Sequence, residues 1–173
     1  MSRKYTIPLS GMKDGLHQVE FEIDNRFFER FEESEVKEGS LTAEVVIEKR
    51  STHSDLTIRI SGAVMICCDR CLEMFSFPVE SKSRLLVKFG ENDEEIDPDI
   101  LYLAFGENEL DLQQHFYDFI MLSLPIRKIH PDDIEGNSTC DPEMLKKLED
   151  LITEGESETD PRWDDLKKLM NNN

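Results

Sequence analysis

Cysteines are the residues of this chain whose type and spacing most directly indicate chemistry. Three of the four lie within residues 67–71. The Cys68-x-x-Cys71 spacing places two thiolates on one tight turn, where both can bind a single zinc ion. Structural zinc takes four ligands, and His130 and Cys140 can complete the set, although their spacing is longer than that of the usual zinc pair. The sequence therefore predicts a structural zinc site formed by Cys68, Cys71, His130 and Cys140.

Two other interpretations of this cysteine segment have to be compared with zinc. Cys68 and Cys71 can be turn residues without a ligand, with Cys67 pointing inward as a small apolar side chain, and this interpretation fits the pattern as well as zinc does. A thiol redox role needs a cysteine at a helix N-terminus. Because the pair lies between two strands, the pattern disfavours redox chemistry.

The sequence contains none of the motifs that carry catalysis. It has no glycine-rich phosphate loop, no Gly-x-Ser-x-Gly elbow and no His-Glu-x-x-His helix. His115 lies on or beside the apolar face of a predicted helix, which is typical of a structural histidine. We therefore predict that the protein is not an enzyme and has no small-molecule substrate.

A short row of basic residues contrasts with an acidic chain. Lys82, Arg84 and Lys88 share one face of a predicted strand, with Arg59 on the neighbouring strand beside them. Charges on such a strand protect a sheet edge from aggregation, and this interpretation is favoured somewhat over RNA contact. The chain carries 38 acidic and 20 basic residues, a formal net charge of −18. This charge disfavours broad nucleic-acid binding.

The elements that position these residues form a long hairpin. Apolar and polar residues alternate over residues 56–66 and 75–89, which indicates two strands with one buried face.

Similar alternation at residues 19–23 and 41–47 predicts further strands. Apolar residues at helical spacing over residues 112–123 predict a helix that covers the sheet. The fold class is therefore predicted as α+β, with an antiparallel, curved or barrel-like sheet covered by a helix and with short C-terminal helices.

The C-terminal part reads as a helical tail. Asp-Pro pairs at residues 141–142 and 160–161 are typical helix starts. The second helix carries an apolar stripe that includes Trp163 and Leu166, and a short amphipathic helix must dock on the sheet or on a partner. We predict a main domain over residues 1–130 and a tail over residues 131–173, packed on that domain or on a partner.

Length and hydropathy suggest one core and no membrane. The 173 residues, 38% of them hydrophobic, are enough for a single domain with tails. No signal peptide or apolar run of membrane-spanning length is present. The expected location is the cytoplasm.

Four short motifs resemble one family. They are Cys-Asp-Arg-Cys-Leu-Glu at residues 68–73, Leu-Asp-Leu at 110–112, Leu-Ser-Leu-Pro at 122–125 and Asp-Pro-Arg-Trp at 160–163. Together they are similar to the YceD family, the large ribosomal RNA subunit accumulation proteins. Many relatives have a Cys-x-x-Cys-Gly cluster after the helix end, where this chain has His130 and Cys140.

The resemblance implies a bacterial, cytoplasmic, non-enzymatic factor needed for accumulation of large-subunit ribosomal RNA through its synthesis, processing or assembly. Independently of the resemblance, the predicted partner is that RNA or a basic ribosomal protein or assembly factor. From the strand and helix patterns, the predicted contact residues are Arg59, Lys82, Arg84, Lys88, Trp163 and Leu166. The acidity of the chain favours the protein partner. The alternative is a zinc-stabilised protein-binding module of another pathway.

Overall fold

The computed structural model describes residues 3–90, 100–104 and 106–151. The chain divides into two compact units, Met1–Ile129 and His130–Asn173. No helix in the described ranges is long and apolar enough to cross a membrane.

The first unit is built on a five-stranded sheet in the order β2-β3-β4-β5-β6. A two-stranded sheet of β1 and β7, a short helix α1 and an eleven-residue helix α2 complete the unit. The elements are β1 (Thr6–Ile7), β2 (Gly15–Ile23), α1 (Asn25–Phe28), β3 (Gly39–Lys49), β4 (His53–Cys67), β5 (Met74–Phe89), β6 (Ile100–Leu103), β7 (Leu110–Asp111) and α2 (Gln113–Ser123).

The predicted α+β class is confirmed, and the sheet adds two features that the sequence did not predict. Strands β2 to β5 are antiparallel, as expected, but β6 runs parallel to β5, with Leu86 opposite Ile100. In the described part of the chain β2 and β6 are the two edges, so the sheet is not closed into a barrel. Period-two alternation reports which face is buried and carries no information about strand direction.

Alternation along the strands places one apolar face against the core. On β4 the side chains of Leu56, Ile58 and Ile60 are almost fully buried, whereas Arg59 between them is exposed. Each such aliphatic side chain stabilises the fold by about 1.5 to 3 kcal/mol when fully buried. The core therefore lies on one side of the sheet, and the other side, which we call the outer face, is left for polar residues.

Aromatic residues join the sheet to the elements that cover it. Tyr5 packs edge-on against Phe27 and Phe116, with ring centroids 5.1 and 6.2 Å away, and Phe116 also lies 5.4 Å from Phe21 of β2. Phe116 and Ile120 are the fully buried residues of α2. The helix predicted at residues 112–123 is thus present and packs on the sheet through this stripe.

One glycine is required by the close approach of β3 and β4. Gly62 has a φ of +146°, and a Cβ atom there would lie 2.3 Å from the Ser40 carbonyl oxygen and 2.6 Å from Leu41 Cα. Only a residue without a side chain fits this position. Gly62 therefore lies where β3 and β4 pair most closely, just before the hairpin extends past the first residue of β3, Gly39.

The second unit contains the helix α3 (Pro142–Leu151). Asp141 Oδ1 accepts a hydrogen bond of 3.0 Å from the Glu143 amide, which satisfies a donor at the start of the helix. The helix begins at Pro142, as the Asp-Pro pattern predicted. The helix predicted after Asp160 lies outside the described residues, and the docking of the tail stays a prediction.

Candidate functional site

The turn that joins β4 to β5 carries the Cys-x-x-Cys motif. The Cys68 amide donates to the Glu73 carbonyl and the Leu72 amide to the Cys68 carbonyl, both at 2.9 Å. The Arg70 amide lies 3.5 Å from Cys68 Sγ, where an N–H group stabilises thiolate charge. Cys68 and Cys71 are buried, and Leu72 takes a φ of +61°, which closes the turn. The hairpin tip thus presents two thiols on a compact loop.

Asp69 in the same turn contacts the segment that follows α2. Its amide donates to the Lys128 carbonyl at 2.7 Å, and its Oδ2 accepts from the Lys128 amide, also at 2.7 Å. Lys128 Nζ in turn donates to the Glu35 carboxylate. This two-bond clamp fixes the chain after α2 to the hairpin tip within the first unit. Sequence reasoning missed it because 59 residues separate its partners.

The second unit holds the other two residues of the predicted zinc site. Cys140 is buried, and its Sγ lies 3.7 Å from His130 Nδ1. Between them a turn forms around Asp133, and hydrogen bonds from the backbone and side chain of Asn137 lower the pKa of the Asp133 carboxyl. The turn returns the chain so that residues ten apart in sequence meet. Within this unit, one thiol and one imidazole thus lie together, and both are donors of the kinds that bind zinc.

The outer face of the sheet carries the predicted basic residues. Arg59 of β4 lies directly opposite Lys82 of β5, and both side chains are exposed. Neither side chain forms a hydrogen bond or ion pair with another residue in the described part of the chain. Like charges in directly opposed positions destabilise a sheet. Arg59 also lies opposite Glu44 of β3, whereas the Arg59–Lys82 contact itself brings two like charges together, and an anion would relieve their repulsion.

The other two basic residues have partners on the same face. Arg84 Nη2 lies 2.6 Å from Asp55 Oδ1. Lys88 Nζ lies 5.9 Å from the centroid of the Tyr102 ring, within the range of a cation–π contact. We call Arg59, Lys82, Arg84 and Lys88 the basic strip. Trp163 and Leu166, which the sequence groups with the strip as contact residues, lie outside the described residues.

Acidic residues occupy the other half of the outer face. Glu44 of β3 lies opposite Arg59 on one side and Glu20 of β2 on the other, so one row across the sheet reads Glu20, Glu44, Arg59, Lys82. Gln18 Nε2 donates to Glu44 Oε1 at 2.6 Å and holds that carboxylate in place. The outward carboxylates of β2 and β3, which we call the acidic half, are those of Glu20, Glu22, Glu44 and Glu48.

Two shallow grooves lie over the border between these halves. Arg59 and Lys82 line both, and the grooves have volumes of about 540 and 520 Å³. Hydroxyl groups of Thr42, Ser61 and Thr57 line them as well. Carboxylates also line the grooves, those of Glu20, Glu44 and Glu80 in the first and those of Glu48 and Asp55 in the second. Paired cations next to hydroxyl donors suit a phosphate group, and these carboxylates restrict its approach to the side of Arg59 and Lys82.

His115 lies on α2, half-buried, with its ring 6.3 Å from that of Phe119. Burial lowers the pKa of its imidazole, and the Asp118 and Asp111 carboxylates oppose that effect. The structural role that the sequence indicated stays a prediction.

Comparison with known proteins relates the chain to one family. A family model described as Large ribosomal RNA subunit accumulation protein YceD matches residues 56–170. Searches of curated proteins and of solved structures returned no significant match. The matched segment covers the hairpin, the four Cys and His residues of the zinc prediction and the whole basic strip.

Proposed function

Because the chain belongs to the YceD family, matched over residues 56–170, we propose that it is a non-enzymatic factor needed for accumulation of large-subunit ribosomal RNA. It acts in the synthesis, processing or assembly of that RNA, in the cytoplasm of a bacterium. The family name supports a ribosome-related role, and the family is not a known enzyme family.

The proposal of a direct RNA contact is supported by one observation: Arg59 and Lys82 lie directly opposite each other on the sheet. Two cations held face to face, without partners among the described residues, favour the approach of a phosphodiester. The net charge of −18 repels RNA from most of the surface. The proposed contact is therefore narrow, and it depends on the basic strip.

Depletion and crosslinking in cells test this function. On depletion we expect large-subunit RNA to fall relative to small-subunit RNA, and the wild-type protein to crosslink to large-subunit RNA. Arg59→Gln with Lys82→Gln should lose the RNA crosslink and fail to rescue depleted cells. Lys13→Gln with Arg26→Gln removes the same charge from exposed sites off the outer face and should behave as wild type. Unchanged large-subunit RNA after depletion would contradict the function, and a crosslink to protein alone would contradict the RNA contact.

We also propose that Cys68, Cys71, His130 and Cys140 bind one structural zinc ion. Each pair supplies two ligands, and a structural zinc site needs four. The Arg70 amide beside Cys68 Sγ and the 3.7 Å approach of Cys140 to His130 support a thiolate-rich site. Purified protein should contain one zinc per chain. Absence of zinc, together with unchanged stability in Cys68→Ser, would contradict this site.

The alternative function, a zinc-stabilised protein-binding module of another pathway, makes a different prediction. In that case zinc is present, depletion leaves ribosomal RNA unchanged, and truncation before Trp163 and Leu166 abolishes partner capture. Zinc is expected under both functions, so the RNA level after depletion and the partner capture by the truncated protein distinguish them.

A further inference from the structure

We propose that the basic strip binds a single strand of RNA through its phosphates and that the acidic half excludes a duplex. This inference rests on the proposed RNA contact and adds the class of RNA. It follows from the way charge is divided across the outer face.

The width of the positive surface is set by two strands. Arg59 and Lys82 are neighbours across β4 and β5, and adjacent strands lie about 4.8 Å apart. The next strand on one side presents Glu44, and the strand after that presents Glu20. One phosphate backbone can follow the strip along β5 from Lys82 towards Lys88, where Lys82 and Arg84 both point outward. In the other direction the positive surface of β5 ends at Lys82, because the next outward residue is Glu80. Any second backbone on the side of β3 meets carboxylates.

On the opposite side of the strip, the part of β5 that carries Lys82 and Arg84 lies beside α2, which packs on the core face of the sheet. A groove of about 490 Å³ runs between the helix and β5. It is lined on the strand by Glu80, Ser81, Ser83 and Arg84 and on the helix by Phe119, Leu122 and Ser123. Leu122 is 81% exposed. The second backbone of a duplex would thus lie over Glu80 and the apolar side chains of α2 on this side and over carboxylates on the other. Neither surface compensates for the loss of phosphate hydration.

The chemistry of the outer face favours the backbone over the bases. The described outward-facing residues of β2 to β5 include no Phe, Tyr or Trp, and on β6 the ring of Tyr102 lies beside Lys88, so base stacking on this face is limited to that end of the strip. Hydroxyl donors of Thr42, Thr57 and Ser61 border the cations instead. Binding is therefore expected to be insensitive to sequence and sensitive to salt.

Fluorescence anisotropy with a labelled single-stranded RNA of about 20 nucleotides, alone or annealed to its complement, tests the inference. At low salt the wild-type protein should bind the single strand at least about tenfold more tightly than the duplex. The logarithm of the binding constant should fall with the logarithm of salt with a slope of about −1.4 to −2, as for two to three phosphate contacts.

The decisive variant is Glu20→Gln with Glu44→Gln, which removes two charges and lets residue 44 keep a hydrogen bond to Gln18. It should raise duplex affinity about tenfold and change single-strand affinity less. Glu32→Gln with Glu33→Gln removes the same charge from an exposed segment away from this face and should preserve the preference for a single strand.

The outcomes distinguish failure of the single-strand preference from failure of the proposed RNA contact. Equal wild-type affinity for single strand and duplex would overturn the inference and leave the RNA contact standing. Equal effects of the two glutamine pairs would overturn the role of the acidic half. If the wild-type protein binds neither RNA, the proposed RNA contact itself fails, and the inference fails with it.

Discussion

Asp69 and Lys128 exchange two hydrogen bonds of 2.7 Å, one from each backbone amide, and thereby join the hairpin tip to the segment that follows α2. The contact lies within the first unit, two residues before His130. Asp69 occupies a position between the two cysteines of the turn. Its side chain thus has a structural task that is independent of metal chemistry.

Removal of the Asp69 carboxylate should destabilise the first unit. In Asp69→Ala the Lys128 amide loses its acceptor, and we expect a loss of about 1 kcal/mol in the free energy of unfolding, measured by urea denaturation. Asp14→Ala is the control, because Asp14 is exposed and lies 3.9 Å from Lys49 Nζ, and its effect should stay within about 0.5 kcal/mol. Equal effects would show that the clamp contributes nothing.

Metal removal should reveal the role of the buried cysteines. If zinc is bound, a strong chelator should lower the midpoint of thermal unfolding, and Cys68→Ser should do the same without a chelator. Cys67→Ser is a close control, since Cys67 is adjacent in sequence but exposed. Thermal scans with and without chelator check this prediction. A chelator effect that persists in Cys68→Ser would contradict the assigned ligand.

Substitution of Gly62 should disrupt the pairing of β3 with β4. Gly62→Ala places a methyl group against the backbone at residues 40 and 41 in a conformation that alanine rarely adopts, and we expect a loss of about 2 to 4 kcal/mol. Gly11→Ala should cost less than about 0.5 kcal/mol, because a Cβ atom added there would have no heavy atom within 4 Å. Denaturant midpoints distinguish the two, and similar midpoints would contradict the steric argument.

The half-buried histidine of α2 should make stability depend on pH. Burial lowers the pKa of His115 below its usual value of 6.5, so the unfolded chain binds a proton at a higher pH than the folded one. The stability contribution of neutral His115 is present above about pH 6.5 and decreases as the pH falls below it. Between pH 7 and 5 the wild-type protein should therefore lose more stability than His115→Gln. Parallel curves for the two proteins would contradict this.

A charge reversal on the basic strip should separate stability from RNA binding. Lys82→Glu places a carboxylate opposite Arg59, so that an ion pair replaces two like charges. This change should raise the free energy of unfolding by about 0.2 to 1 kcal/mol. The same change should weaken RNA binding. Urea denaturation and anisotropy measured on one preparation check both effects. A less stable variant would contradict the repulsion inferred at this pair.

Only those features of the site that depend on residues close together in sequence could be predicted from the sequence. Residues two apart on a strand share a face, so Lys82, Arg84 and Lys88 could be assigned to one face from their spacing. The Cys68-x-x-Cys71 turn could be identified for the same reason. The position of Arg59 opposite Lys82 depends on the register of a hairpin, and the position of Glu44 beside Arg59 depends on a second pairing.

The sequence by itself determined the four longest strands, their buried faces and the helix that covers them, because periodicity acts over a few residues. Tertiary structure alone decided the parallel direction of β6, the contact between Asp69 and Lys128, and the division of the outer face into acidic and basic halves. Each of these depends on which distant segments pair, and that choice is made by the packing of the whole core. The cysteine turn is thus a local feature of the chain, whereas the charged face opposite the core is a product of the fold.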